Sequence, residues 1–124
     1  MGTYSDLDVF KKSYKLAMDI FEVSKSFPSE EKYSLTDQIR RSSRSVSTNF
    51  GEAYRRRKYP AHFLSKLTDC DAENTETEIW LKFSTDCKYI SETVFNDLTA
   101  RCSEVGRLLG YMIINPDKYL IKEK

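Results

Sequence analysis

Seven cationic side chains between positions 40 and 58 are the residues of this chain best suited to binding chemistry. Arginine presents a planar fork of N–H donors that matches phosphate oxygens and stacks on nucleobases. A single acid, Glu52, is interspersed among the seven. We therefore expect this region to bind the backbone of RNA or DNA, with cations drawn from Arg40, Arg41, Arg44, Arg55, Arg56, Arg57 and Lys58.

Helical geometry brings three of these arginines to one side of a helix. At about 100° per residue, Arg40, Arg44 and Arg55 fall within about 60° of one another and nearly opposite the apolar stripe of the same helix. The candidate nucleic-acid site accordingly consists of Arg40, Arg44, Arg55, Arg56, Arg57 and Lys58.

The alternative is that these cations form a solvated face or pair with acids of a neighbouring helix. A run of acids without an interspersed base follows in the third predicted helix: Asp69, Asp71, Glu73, Glu76 and Glu78. In an oligomer, such pairing across subunits would set register and partner choice more than affinity. The expected edge for these contacts is the polar flank of the second helix, which carries Gln38, Arg41, Asn49 and Glu52.

The sequence contains few residues suited to catalysis or to binding a metal ion. His62 is the only histidine, and Glu73 with Glu76 is the only Glu-x-x-Glu pair. Dimetal centres in helical bundles use repeated Glu-x-x-His pairs on facing helices. We expect no enzymatic activity, no metal and no cofactor.

Composition favours one helical domain. The 124 residues match the commonest domain size, and 4 Gly and 3 Pro are too few breakers for a strand-and-turn protein. A formal net charge of +1 leaves local clustering as the only electrostatic argument for nucleic acid.

The longest apolar stretch is about five residues, where a membrane span needs roughly 18, and no secretory signal is visible. With Cys70, Cys87 and Cys102 expected to be reduced thiols, we predict a cytoplasmic protein without membrane association.

Apolar residues at helical spacing predict four long helices. They run from about Asp6 to Ser26, from Ser34 to Arg57, from Pro60 to Tyr89, and from the cap Ser91 to Asn115. Short links predict an antiparallel up-down-up-down four-helix bundle, all-α, over residues 4–116, with a charged tail at 117–124 that we expect to fray. The inward stripe of the first helix is expected to be Leu7, Phe10, Tyr14, Ala17 and Phe21.

The third predicted helix is apolar on two sides. One line contains Phe63, Leu67, Cys70, Asn74 and Leu81, and the nearly opposite side carries Ile79, Trp80, Phe83 and Cys87. A helix in an isolated bundle needs only one apolar stripe, so the second predicts burial against another subunit. Alternatively, these side chains cover a neighbouring loop of the same chain.

The motif around the arginines resembles the signature of the 23S rRNA intervening-sequence protein family. The similar segments are Phe27-Pro28-x-x-Glu31-x-Tyr33-x-Leu35-x-x-Gln38-Ile39-Arg40-Arg41-Ser42, Ser45-Val46-x-x-Asn49-x-x-Glu52 with Arg55, Phe63-Leu64, Glu73, Glu76-Thr77 and Val105-Gly106-x-Leu108-Leu109. The resemblance covers about Tyr4 to Tyr119. It implies a four-helix bundle that assembles into a ring-like homopentamer.

The same resemblance extends to accessory proteins of diversity-generating retroelements, which are basic pentamers that bind nucleic acid and a reverse transcriptase. We therefore expect a ring-like homo-oligomer that binds structured RNA or DNA through the basic surface of helix two. The alternative is a structural or adaptor protein whose arginines contact other subunits or a protein partner, without binding nucleic acid.

Overall fold

The computed structural model describes residues 2–121, which fold into four α-helices joined by short links. The helices are α1 (Asp8–Ser24), α2 (Leu35–Arg55), α3 (Pro60–Asp86) and α4 (Glu92–Ile114). Short 3₁₀ turns occur at Tyr4–Asp6, Ser29–Glu31 and Pro116–Lys118. No strand occurs in the described part of the chain, so the predicted all-α class is confirmed.

Local signals explain three of the helix ends. Pro60 is the first residue of α3, where its missing N–H leaves no bond unmade. The Ser91 hydroxyl caps α4 by accepting a hydrogen bond from the Val94 amide at 3.1 Å. The predicted end of α3 at Tyr89 is wrong by three residues, because Lys88 adopts a left-handed φ of 64°. The Tyr89 amide then donates to the Ser84 carbonyl at 2.9 Å, which closes the helix in a Schellman turn.

Each helix contacts two others, since α1 and α3 both pack against α2 and α4. Contacts between α1 and α2 run in opposite directions along the chain: the hydroxyls of Ser13 and Ser47 are 2.9 Å apart, and Arg40 Nε donates to Ser24 Oγ at 2.7 Å. Later residues of α1 therefore contact earlier residues of α2, so the two helices are antiparallel.

The core consists of two apolar halves separated by a polar layer. One half contains Val9, Val46, Phe50, Ala53, Phe63, Leu67, Cys70, Val105, Leu109 and Met112. The other contains Leu16, Ile20, Ile39, Leu81, Leu98 and Cys102. The buried polar groups between them join the helices through three bonds: Ser13 to Ser47, Ser42 Oγ to Thr77 Oγ1 at 2.8 Å, and Asn74 Nδ2 to the Cys102 carbonyl at 2.9 Å. Because each of these three bonds joins two different helices, the layer favours one alignment of the helices.

The predicted inward stripe of the first helix is wrong, because the face of α1 that is buried is rotated about the helix axis from the predicted face. The side chains of α1 that are buried are Val9, Ser13, Leu16, Ala17, Ile20 and Ser24. Tyr14 is instead 53% exposed, and Phe10 and Phe21 are half-buried. Ala17 belongs to both the predicted aromatic stripe and the aliphatic stripe that is buried. The contact between Ser13 and Ser47 turns the aliphatic stripe toward the core.

The predicted fraying of the tail is wrong for residues up to Ile121. Tyr119 and Leu120 are half-buried and pack against the apolar half that contains Phe50. The Ile121 amide donates to the Arg57 carbonyl at 3.1 Å. Positions 122–124 of the predicted tail lie outside the described residues.

Candidate nucleic-acid interface

Arg40 and Arg44 gather around one aromatic ring of the neighbouring helix. Their guanidinium carbons lie 4.7 Å and 5.4 Å from the centroid of Phe21, and Lys25 Nζ lies 4.9 Å from the same centroid. A cation over an aromatic face gains about 0.5–1 kcal/mol at an exposed site. The hydrogen bond from Arg40 to Ser24 anchors the arrangement further. The ring thus favours positions of these cations at the α1–α2 edge.

An open groove continues from this edge between α1 and α2. Its volume is about 640 Å³, and Arg44 and Arg55 both line it from α2. The α1 side is apolar and includes Tyr4 from the preceding turn, with Phe10, Tyr14, Ala17 and Met18. The groove therefore combines an aromatic wall with a cationic rim.

The aromatic wall is built from rings that contact one another. Phe10 and Tyr14 stack with centroids 5.6 Å apart and an interplanar angle of 26°. Tyr4 meets Phe10 edge-on at 4.9 Å. Tyr4, Tyr14 and Met18 remain 39%, 53% and 43% exposed. These contacts align the rings while leaving part of their surface open to solvent.

The remaining predicted cations lie at the α2–α3 corner. Arg56 Nη1 is 3.3 Å from His62 Nδ1. The guanidinium carbon of Arg57 lies 3.6 Å from the centroid of the Tyr54 ring, and Arg57 Nε donates to the Tyr54 carbonyl at 2.9 Å. Lys58 is exposed. The six predicted site residues therefore divide into Arg40, Arg44 and Arg55 along the groove, and Arg56, Arg57 and Lys58 at the corner.

Carboxylates distinguish the groove arginines from Arg41. Within residues 2–121, neither Arg40, Arg44 nor Arg55 has a carboxylate within 4.0 Å. Arg41 instead donates to Glu73 at 2.9 Å and also pairs with Glu76. The predicted pairing of basic and acidic faces thus occurs at Arg41, and it occurs within one chain.

The predicted polar edge also finds partners within the same chain. Arg41 Nε donates to Gln38 Oε1 at 3.1 Å. Lys66 Nζ of α3 donates to Asn49 Oδ1 at 3.4 Å and lies 3.0 Å from the Glu52 carboxylate. Arg41, Asn49 and Glu52 thus join α2 to α3, whereas Gln38 contacts Arg41 within α2. All of these contacts form within one chain.

The outer face of α3 is exposed as the sequence predicts. Ile79 and Phe83 are 51% and 52% exposed, and Cys87 is exposed as well. Trp80 is half-buried against the apolar half that contains Leu81. The centroid of its ring is 5.6 Å from that of Phe83, and its Nε1 donates to the Glu76 carboxylate at 3.0 Å. The alternative that a loop of the same chain covers this face is wrong for Ile79 and Phe83.

The groups suited to catalysis are buried or scattered. Burial raises the pKa of Cys70 and Cys102 to about 12, so their thiolates are scarce at neutral pH. Across residues 2–121, no three His, Cys, Asp or Glu side chains are grouped so as to hold a metal ion. None of the helices in that range combines the length and apolar character that crossing a bilayer requires.

Sequence reasoning missed Phe21 and the groove, because it assigned Phe10, Tyr14 and Phe21 to the core. A usable signal was present. Val9, Leu16 and Ile20 form a second apolar stripe on α1. Because only one stripe of a helix faces the core, the other remains at the surface, where it can line a binding site.

Comparisons with known proteins agree with the motif. Residues 5–111 match the model of a family described as 23S rRNA-intervening sequence protein. A similar crystal structure is that of a protein of unknown function from the S23 ribosomal protein family of Bacteroides thetaiotaomicron. It is 30% identical with a TM-score of 0.77, over 85% of this chain and 94% of that chain. No curated protein matches the chain. Because the family match spans most of its length, the chain belongs to the 23S rRNA-intervening sequence protein family.

Proposed function

We propose that this protein is a non-enzymatic, nucleic-acid-binding subunit of a ring-like homo-oligomer, acting in the cytoplasm. The observation that carries the binding proposal is the pair Arg40 and Arg44 on the Phe21 ring. Both guanidinium groups are held in place without a neutralising carboxylate in the described chain, and Arg55 follows along the same groove. Oriented arginines of this kind suit phosphate oxygens.

The outer face of α3 supports the oligomer proposal. Exposed Ile79 and Phe83 adjoin Trp80 on this face, and apolar patches of this kind favour association. Most homo-oligomers close with point-group symmetry, so we propose a ring rather than an open chain. Five subunits is the number that the family resemblance implies.

The non-enzymatic and cytoplasmic parts of the proposal rest on the thiols. Cys70, Cys87 and Cys102 are unpaired, as expected in a reducing compartment. Two of them are buried with raised pKa values, which suits packing and not nucleophilic chemistry.

Titration of a labelled RNA hairpin tests the binding proposal. Affinity is measured by fluorescence anisotropy at about 50 mM and about 200 mM salt, because each phosphate contact releases counterions and steepens the salt dependence. Replacing Arg40 and Arg44 together by Ala is expected to lower affinity and to reduce the slope of log K against log salt by roughly 1–2.

The matched control replaces Lys15 and Lys82 by Ala, which removes the same charge from exposed ion pairs elsewhere. Its affinity and salt slope should equal those of the unmodified protein. Absence of binding near 50 mM salt, or equal loss in both double variants, contradicts the proposal.

Light scattering at micromolar concentration tests the ring. Ile79→Glu with Phe83→Glu is expected to give the monomer mass, because it places carboxylates in the proposed contact. Ile114→Glu is the control, since Ile114 is 80% exposed at the end of α4. A monomer mass for the unmodified protein contradicts the oligomer proposal.

A specific observation favours a protein-binding role as the second candidate. The arginines of the groove face an apolar wall, and a peptide with acidic and aromatic residues would match both. A protein that binds no RNA at low salt but retains its oligomeric mass would support this second role.

A further inference from the structure

We propose that the groove between α1 and α2 binds unpaired bases of a nucleic acid, which stack on its aromatic wall while their phosphates contact Arg44 and Arg55. The inference deepens the proposed function and rests on it. It specifies which form of nucleic acid the site selects, namely single-stranded segments such as loops and ends.

The wall offers what an unpaired base requires. Phe10 and Tyr14 already stack on each other, and Tyr14 leaves about half of its surface open. Stacking of a base on an aromatic side chain is tolerant of sequence, because every base has a π-face. Met18, 43% exposed on the same wall, adds a polarisable apolar contact.

The charges around the wall match a phosphate backbone. Arg44 and Arg55 are eleven residues apart on α2, so their Cα atoms are separated by about 16 Å along the helix axis. Glu52 also lines the groove, but its carboxylate is 3.0 Å from Lys66 Nζ, which offsets part of its charge. Toward the other end, Arg40 extends the cationic edge through its contact with Phe21.

A duplex could use only part of this site. Its bases are stacked and paired inside the helix, and the major groove of A-form RNA is too deep and narrow for side chains to read. Phosphates of a duplex would reach Arg44 and Arg55, whereas Tyr14 would remain without a partner. The combination of exposed rings and arginines therefore favours single strands.

The test compares one labelled twelve-nucleotide RNA, free and annealed to its complement, at the same salt concentration. The unmodified protein should bind the single strand roughly fivefold or more tightly than the duplex. Tyr14→Ala should lower single-strand affinity by a similar factor and leave duplex affinity unchanged. Tyr14→Phe, which keeps the ring, should bind like the unmodified protein, and Ile114→Ala controls for loss of an exposed apolar side chain elsewhere.

Each outcome separates this inference from the proposed function. Equal affinity for both RNAs, unaffected by Tyr14→Ala, overturns the inference while nucleic-acid binding stands. No binding of either RNA overturns the proposed function itself. Loss of oligomeric mass in Tyr14→Ala assigns the groove to a second copy of the chain, which also overturns the inference.

Discussion

The guanidinium carbon of Arg40 lies 4.7 Å from the centroid of the Phe21 ring, and this contact joins α2 to α1 at the cationic edge. Phe21 has no charge and no hydrogen-bonding side chain, yet it orients Arg40 and Arg44 together. Preorganised cations lose less side-chain entropy on binding than free ones. An uncharged residue is therefore expected to influence affinity for a polyanion.

Phe21→Ala should weaken RNA binding by releasing both arginines. Loss of a cation–π contact of about 0.5–1 kcal/mol for each arginine predicts a reduction in affinity of roughly five- to thirtyfold. The salt slope should stay the same, because no phosphate-binding charge is removed. Anisotropy titrations over a salt series measure both quantities. A change in slope without a change in affinity at low salt would argue against this role.

Arg41→Glu should destabilise the subunit and leave its assembly intact. The substitution places a third carboxylate beside Glu73 and Glu76, and we expect the free energy of unfolding to fall by about 1 kcal/mol. Urea unfolding measures this change, and light scattering measures the mass. Adding Glu73→Arg should restore part of the loss. Dissociation of the oligomer by Arg41→Glu would instead place Arg41 at a subunit contact.

Stability should fall in acid partly because of Asp19. The hydrogen bond from Lys15, aided by Arg101, outweighs partial burial and holds the pKa of Asp19 below its ordinary value of 3.8. A carboxyl whose pKa is lower in the folded state stabilises that state above its unfolded pKa, and this contribution disappears as pH falls through the folded value. Asp19→Asn should therefore flatten the decline of unfolding free energy below about pH 4. Urea unfolding at a series of pH values would show an undiminished decline if Asp19 were not involved.

Thiol labelling should distinguish Cys87 from the other two cysteines. Cys87 is exposed, whereas burial raises the pKa of Cys70 and Cys102 to about 12. A disulfide reagent at about pH 8 should modify Cys87 rapidly in the native protein and all three thiols in urea. If the outer face of α3 is the subunit contact, the rate at Cys87 should drop as protein concentration rises. Cys87→Ser should abolish the fast phase. A Cys87 rate that stays the same when dilution dissociates the oligomer would contradict the oligomer proposal.

Much of the fold could be predicted because α2 and α4 each have one apolar stripe. Residues such as Ile39, Phe50 and Leu109 lie on these stripes and are buried, and Ser91 caps its helix as predicted. The inward face of α1 could not be predicted in this way. Two stripes were available there, and the choice depends on Ser47, a residue of another helix.

The same distinction explains what could be predicted of the site. Helical spacing is sufficient to bring Arg40, Arg44 and Arg55 to one side of α2. Spacing does not reveal that Arg41, next to Arg40 in sequence, turns to Glu73 of α3. That pairing depends on how far α3 slides along α2, which is a property of the packed bundle.

The polar layer between the two apolar halves has a consequence for recognition. A slide of α2 along α1 by one turn, about 5.4 Å, would separate Ser47 from Ser13 and break the hydrogen bond between their buried hydroxyls. The cost of such a slide keeps α1 and α2 in one alignment. The distances from Phe21 on α1 to the arginines on α2 are then already set before any ligand arrives, so the subunit presents a rigid template instead of a surface that must be ordered on contact.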